Sequence, residues 1–388
     1  MRILLYDWNE NSTYINRWDI KQTFCSLHID FDTFLFDFEK QEQEELVRLF
    51  SSFQISKYDF CFSINYFPGV SEACMENNIK YISWGYDCPF NVKNIERTLG
   101  NPCNYVFCFD RVQAEGYIRQ GFDTVFYMPL GVNVDRYEKI MISSEYLAKY
   151  GGDISFIGSL YEGQYSAIAE VCDDYHRGYL EAIINSQQQL YGGYILNDAI
   201  SQGLVDEINR HFKEVEKDTK FSLTKEQLVH VLDQETSRRE RLLLLTLLAR
   251  RFDVHLYSYQ AYQGLTGVKL HDAVDYVTEM PYVFASSKIN LNISVKGIQS
   301  GMPQRTLDIM ASGGFLLSNF QPELVEYFSC GEDMETYSSM EEAVVKSRFY
   351  LENPDIRERI AKKGRERVYR EHNLKDKICQ MIEFCKEN

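Results

Sequence analysis

Over the first 140 residues, short apolar runs alternate with amphipathic stretches. RILLYDW, DTFLFDF, YDFCFSINYF, KYISWGYDCPF, YVFCFDRV and DTVFYMPLG are separated by helix-like segments such as QEQEELVRLFSSF, VSEACMENN and AEGYIRQG. Strands alternating with helices require crossover connections, which predicts a mostly parallel sheet covered by helices on both faces. Such sheets meet ligands at the carboxyl ends of their strands. The predicted tips are polar: Asp7-Trp8-Asn9, Asn65-Tyr66-Phe67, Asp87-Cys88-Pro89 and Asp110-Arg111, which together line one wall of a cleft.

PLGVNVDRYEKI (129–140) reads as the exit from this unit, and DISFIGS (153–159) starts a second sheet after a Gly-Gly turn. From 163 to about 250 the pattern becomes helical and polar, through EINRHFKEVEKD, EQLVHVLDQ and SRRERLLLLTLLARRF. It is read as an all-helical insertion, a segment the fold does not need and hence the expected place for acceptor or partner recognition. Strand patterns resume in DVHLYSY, HDAVDYV, KINLNIS, FLLSNF and METYSS. Ser339 with Glu342 makes a capping box, and Asn353-Pro354 is expected to cap and open the last long helical region. The expected division is a first domain over 1–140, a second over 141–370, and a helix over 371–388 packing back on the first. Two doubly wound sheets in tandem describe a two-lobed cleft enzyme.

SGMPQRTLDIMASGG (300–314) predicts a short helix with marked ends. Pro303 suits the first helical position and Gly313-Gly314 a left-handed stop. The start of such a helix offers unpaired N–H groups and the positive end of its dipole, and Arg305 adds a cation able to grip a phosphate. Asp308, three residues on, is expected on the same face and suits a sugar hydroxyl. A surface ion pair between Arg305 and Asp308 is the plainer alternative.

Composition narrows the picture. A chain of 388 residues is long enough for two cores, and its longest apolar run, LLLLTLLA, is far below a membrane span. The amino-terminal MRILLYDWNENS lacks the apolar length of a secretory signal, so a cytoplasmic location is expected by default. The net charge of -16 works against nucleic acid as a partner. Ten scattered cysteines include no CxxC pair, and none of the seven histidines shows metal-ligand spacing, so reduced thiols and no metal site are expected. The 27 Tyr and 25 Phe suit carbohydrate stacking or a dense aromatic core.

INLNIS, SGMPQRTLDIMASGGFLLSN, ELVEYF, METYSSMEEA and NPDIRERIAKKGRERV resemble the carboxyl-terminal half of GT-B glycosyltransferases, and more narrowly the bacterial group-1-type, spore-maturation (CgeB-like) transferases. SINYFPGVSEAC, KYISWGYDCPF, FCFDR and YMPLGVNVDRY are similar to the amino-terminal domain of that family. The resemblance implies an α/β fold of two Rossmann-like domains facing a cleft, and transfer of a sugar from a nucleotide-diphosphate donor, a UDP-sugar by expectation, to a protein or glycan acceptor. It implies no metal and no cofactor. Aligning LDIMASG with the family motif of two acids eight residues apart puts the second acid, on the donor's ribose, at Asp308. The first falls at Ser300, which is not acidic.

The remaining donor-binding expectations are Gly158 and Ser159 at the DISFIGS tip, Asn292, Ser300, Gly301, Thr306 and Arg305. Lys296 joins them in place of the family's usual cations, and the Val277 backbone holds the base. Asp87 and Asp7 are the candidate acceptor bases. A nucleotide-sugar epimerase, or a non-catalytic nucleotide-sugar-binding protein, would satisfy the same pattern.

Overall fold

The first sheet is built from β1 (Arg2–Asp7), β2 (Asp30–Leu35), β3 (Phe60–Ile64), β4 (Lys80–Trp84), β5 (Asn104–Cys108) and β6 (Val125–Tyr127). They lie in the order β2-β1-β3-β4-β5-β6, every neighbouring pair parallel. The computed structural model describes residues 1–7, 17–37, 43–90, 92, 94–161, 164–215, 222–259 and 264–388. Trp8 and Asn9 of the first predicted tip, and Glu162-Gly163 after the DISFIGS strand, lie outside the described residues.

The second sheet comprises β7 (Ile154–Ile157), β8 (Val254–Tyr257), β9 (Lys269–His271), β10 (Ile289–Asn292), β11 (Leu316–Asn319) and β12 (Glu335–Tyr337), in the order β12-β11-β10-β7-β8-β9. Its pairs are also parallel. The chain moves outward from β7 to β8 and β9, then returns to β10 on the other side. The crevice above β7 and β10 is therefore the switch point where such sheets receive ligands. The strand expected over HDAVDYV stops at His271. Asp275 Oδ1 accepts the N–H groups of Val277 and Thr278 at 3.1 and 2.7 Å, a side-chain turn that feeds the helix Met280–Ser286 instead.

Between β7 and β8 come helices Gln164–Val171, Asp174–Gln189, Leu196–Ala199 and Gln202–Val215, then the long helix Lys225–Ala249. Thr224 and Gln227 start that helix with a capping box. Its first turns bury Leu228, Val231 and Leu232 among Leu180, Ile184 and Ile208 of the insertion. Its last turns bury Leu244, Leu245 and Leu248 against Val254, Leu256 and Leu291 of the second sheet, each worth about 1.5–3 kcal/mol. The expected insertion is thus shorter than 163–250. The end of the long helix is the crossover that two parallel strands require.

Asn353 makes no side-chain cap; its amide donates to Phe349 O at 2.8 Å, while Pro354 opens the helix Pro354–Glu371. The final helix, Leu374–Glu387, lies on the first sheet: Phe384 packs on Phe126 with ring centroids 4.7 Å apart, and Lys80 Nζ donates to Cys385 O at 2.6 Å. One continuous apolar cluster runs from Leu5 and Phe107 through Leu130 and Tyr137 to Leu307, Met310 and Ile378, joining the lobes. All ten cysteines are free thiols, and among the described residues no helix is long and apolar enough to cross a membrane.

Candidate functional site at the lobe boundary

The helix Gln304–Ala311 forms as expected, except that Pro303 sits at the capping position, one residue before the helix, with Gly313 at φ +80° ending it. Arg305 points from this helix to the tips of β7 and β10. Its Nη1 donates to Asn292 Oδ1 at 3.2 Å, and its guanidinium lies 5.2 Å from the centre of the Phe156 ring. Asn292 is itself held by donating to Ser294 Oγ and Ser318 Oγ, both at 2.9 Å. Gly158 borders the same space: a Cβ there would fall 3.0 Å from Arg305 Nη2. Ser159 Oγ accepts from Tyr161 N–H at 3.1 Å.

Sequence reading did not single out Arg241, which completes this group. It projects from the long helix, donates to Ser159 O at 2.6 Å and Ile293 O at 2.7 Å, and lies 5.3 Å from the centre of the same Phe156 ring. Two guanidiniums therefore share one aromatic side chain at the switch point. Among the described residues neither has a carboxylate within salt-bridge distance. Burial, and then the charge of Arg241, pull the Arg305 pKa below its ordinary value. An anion placed here would relieve both costs. The signal in the sequence was the SRRER run, which sits on the buried polar face Asp233, Ser237, Glu240, Arg241 of a single helix.

Asp308 and Arg305 do not pair with each other, and their partners differ. Asp308 Oδ1 accepts from Tyr137 Oη at 2.7 Å, Gln304 Nε2 at 3.0 Å and Tyr276 Oη at 3.2 Å. Arg136 sits over the rings of Tyr137 and Tyr276 and binds Asp19 through two hydrogen bonds, of 3.0 and 2.8 Å. Burial pushes the Asp308 carboxyl up to about 6. This acid is thus shared between the lobes.

The turn before the helix is already occupied. Asp110, which caps the helix Arg111–Arg119 through Oδ1, uses Oδ2 to accept the N–H groups of Ser300 and Gly301 at 2.8 and 2.9 Å. Glu323 of the second lobe reciprocates. It accepts from Arg111 N–H at 2.8 Å, from Ser300 Oγ at 2.7 Å and from Tyr127 Oη at 2.5 Å. The expectation that these amides are unpaired is corrected: a first-lobe carboxylate already fills the place. Thr306, fully buried, bonds back to Pro303 O at 2.7 Å and faces its own helix start.

Lys296, expected as a free cation, is neutralised by Glu240 at 3.0 Å and bonded to Leu190 O at 3.1 Å. The Val277 N–H is taken by Asp275. Asp7 is 3% exposed and clasped by Arg17 and by Lys21 at 3.1 Å, an arrangement that anchors the β1 tip. Asp87 is different. Asn65 donates to it at 2.7 Å from a backbone at φ +62°, and the next two residues meet the second lobe, with Cys88 Sγ 3.6 Å from Gly297 O. Asp87 is solvent-accessible at its surface, yet the surrounding protein displaces enough water to raise its carboxyl above the ordinary range. Close by, Asp233 is 2% exposed with Oδ1 unpartnered, and burial raises it to about 7.

A family model described as glycosyl transferase-like matches residues 238–383, the stretch that carries Arg241, Asn292, Arg305 and Asp308. No curated protein matches the sequence. Among solved structures, Anabaena HepE in complex with UDP and glucose aligns over 100% of both chains at 10% identity and a TM-score of 0.54. Sucrose-phosphate synthase from Thermosynechococcus elongatus aligns over 100% of this chain and 98% of its own, at 10% identity and 0.58. AviGT4, a glycosyltransferase involved in avilamycin A biosynthesis, covers 99% and 97% at 12% identity and 0.52. The fold is GT-B, as expected from the sequence. The family match supports a glycosyltransferase.

Proposed function

We propose that the protein transfers a sugar from a nucleoside diphosphate donor, a UDP-sugar, to a protein or glycan acceptor, and that it works without a divalent ion at the diphosphate. The carrying observation is the pair Arg241 and Arg305 over Phe156, uncompensated by any carboxylate among the described residues, at the β7 and β10 tips. Breaking the sugar–phosphate bond puts charge on the leaving oxygens. Two guanidiniums already desolvated stabilise that charge without reorganising, which is the role a metal would otherwise take. Gly158 leaves room for the diphosphate to approach Arg305. Asp308 keeps its proposed role at the ribose, for which a sugar hydroxyl takes the place of Tyr276 Oη, the longest of its three contacts.

Asp87 is the proposed acceptor base. It stands on the opposite lobe, and its raised pKa makes its carboxylate a better proton acceptor than an ordinary aspartate. The narrower reading as a spore-maturation-like enzyme rests on the 300–314 and 353–368 motifs and belongs to the same proposal, as does a cytoplasmic location. The HepE complexes with UDP and UDP-glucose favour uracil as the base.

Incubation with UDP-, GDP- and dTDP-sugars tests it. Nucleotide release in the presence of an acceptor preparation is the expected result. Binding without turnover would point to a carrier, and an isomerised donor seen by NMR to an epimerase; no binding of any nucleotide would end the proposal.

A further inference from the structure

The helical insertion gathers four side chains that neither the cores nor the transfer site employ. Asp173 caps the helix Asp174–Gln189 by accepting from His176 N–H at 2.8 Å, and the same three-residue step puts the His176 ring beside it, with Nδ1 2.9 Å from Asp173 Oδ1. The helix Gln202–Val215 carries Glu207 and His211 one turn apart. His211 Nε2 lies 3.4 Å from Asp173 Oδ2, and the two imidazole centres are 5.6 Å apart. One ligand atom from each of Asp173, His176 and His211 falls within 4.8 Å of the others.

We propose that Asp173, His176 and His211 bind a divalent transition-metal ion, Zn2+ by preference, with the fourth position open to water. Two imidazole nitrogens and one carboxylate oxygen make a borderline donor set, suited to zinc and ill suited to calcium or magnesium, which want oxygen alone. Bonds of about 2.0–2.1 Å in a tetrahedron separate ligand atoms by roughly 3.3 Å. The 3.4 Å between His211 Nε2 and Asp173 Oδ2 matches; His176 Nδ1 lies 2.9 Å from the other oxygen, Oδ1, so the carboxylate turns for both rings to meet one ion through a single oxygen.

The outer contacts point the same way. His176 Nε2 lies 2.7 Å from Glu207 Oε2, and His211 Nδ1 lies 3.9 Å from Glu214 Oε2. His176 thus turns one nitrogen to Asp173 and hydrogen-bonds a glutamate through the other, the arrangement in which a carboxylate fixes the tautomer of a metal-bound histidine; Glu214 lies too far from His211 to hydrogen-bond it. Such an ion would tie the helix Asp174–Gln189 to Gln202–Val215 and so brace the small core around Leu180 and Ile208. The metal-free alternative is a His176 ring that serves only to bridge Asp173 and Glu207 by hydrogen bonds.

The full-length protein, stripped with a chelator and dialysed, is titrated with ZnCl2 by calorimetry, with metal content read after gel filtration. The expected result is one ion per chain, a higher melting midpoint with zinc, and visible absorption typical of four-coordinate Co2+ on substitution. His211→Ala removes a partly exposed ring, so it keeps the metal-free melting curve and loses about 100-fold or more in zinc affinity; Glu207→Gln loses about 10-fold. The proposal fails if stoichiometric uptake is absent, if His211→Ala binds zinc like the parent, or if NMR finds His176 doubly protonated with zinc present. Donor binding is read separately, so the result stands apart from the glycosyl-transfer reading.

Discussion

Asp110 of the first lobe accepts the backbone N–H of Ser300 from the second at 2.8 Å, through the carboxylate that also caps its own helix. With Glu323 returning the contact to Arg111 N–H, the lobes are fastened by two acids, each reaching across to a backbone amide. The contact fills an amide pair that a ligand would otherwise meet. Asp110→Ala is expected to lower the unfolding free energy by about 1–3 kcal/mol, because it leaves two buried N–H groups unpaired. Urea denaturation measures it, and an unchanged midpoint would mean the lobes do not hold this contact in solution.

Arg305→Gln separates function from stability. Glutamine can still donate to Asn292, while removing one of two mutually repelling cations costs the fold little. Affinity for UDP should drop about 10- to 100-fold, the worth of a charge-assisted contact, with a melting midpoint unchanged or higher. Calorimetry and a thermal scan decide it together; a lost fold, or undiminished UDP affinity, would contradict the assignment.

For Asp87 the signature is a pH profile. Its raised pKa means the basic form is lost as pH falls through a value above the ordinary aspartate range, so kcat should decline on that acid limb. Asp87→Asn is expected to cut kcat by about 10²–10⁴-fold with donor affinity unchanged. A variant that retains kcat would move the base elsewhere.

Asp233 supplies a stability test with a definite sign. An acid near 3.9 in the unfolded chain and about 7 in the folded one binds more protons when folded across that window, so stability falls as pH rises through it. Asp308, at about 6, adds the same slope. Asp233→Asn should therefore flatten the decline between pH 5 and 8, gaining roughly 1–3 kcal/mol over the parent at pH 8. Denaturation at the two pH values checks it; parallel curves would show that Asp233 keeps its charge.

Part of the site was legible along the chain and part was not. Arg305 and Asn292 were singled out because a Gly-Met-Pro turn, a Gly-Gly stop and an alternating strand are local patterns, and the structure brings their side chains into contact. Arg241 sat in a charged run that reads as a solvated helix face until the helix is docked, when its polar stripe turns inward to the β7 and β10 tips. His176 and His211 each carried an acid one turn away, but the pairing of their two helices exists only in three dimensions.

The order of apolar runs by itself determined two parallel sheets, their polar carboxyl ends and the short capped helix, because the 2.0 and 3.6 residue periods and the turn residues act over a few neighbours. Which charges are satisfied was decided by the tertiary structure. Lys296 meets Glu240, Asp7 meets Arg17, and the Ser300 amide meets Asp110, 190 residues away. Electrostatic partners are chosen by distance through space and by the water that packing removes, and neither is written in the spacing of residues along the chain.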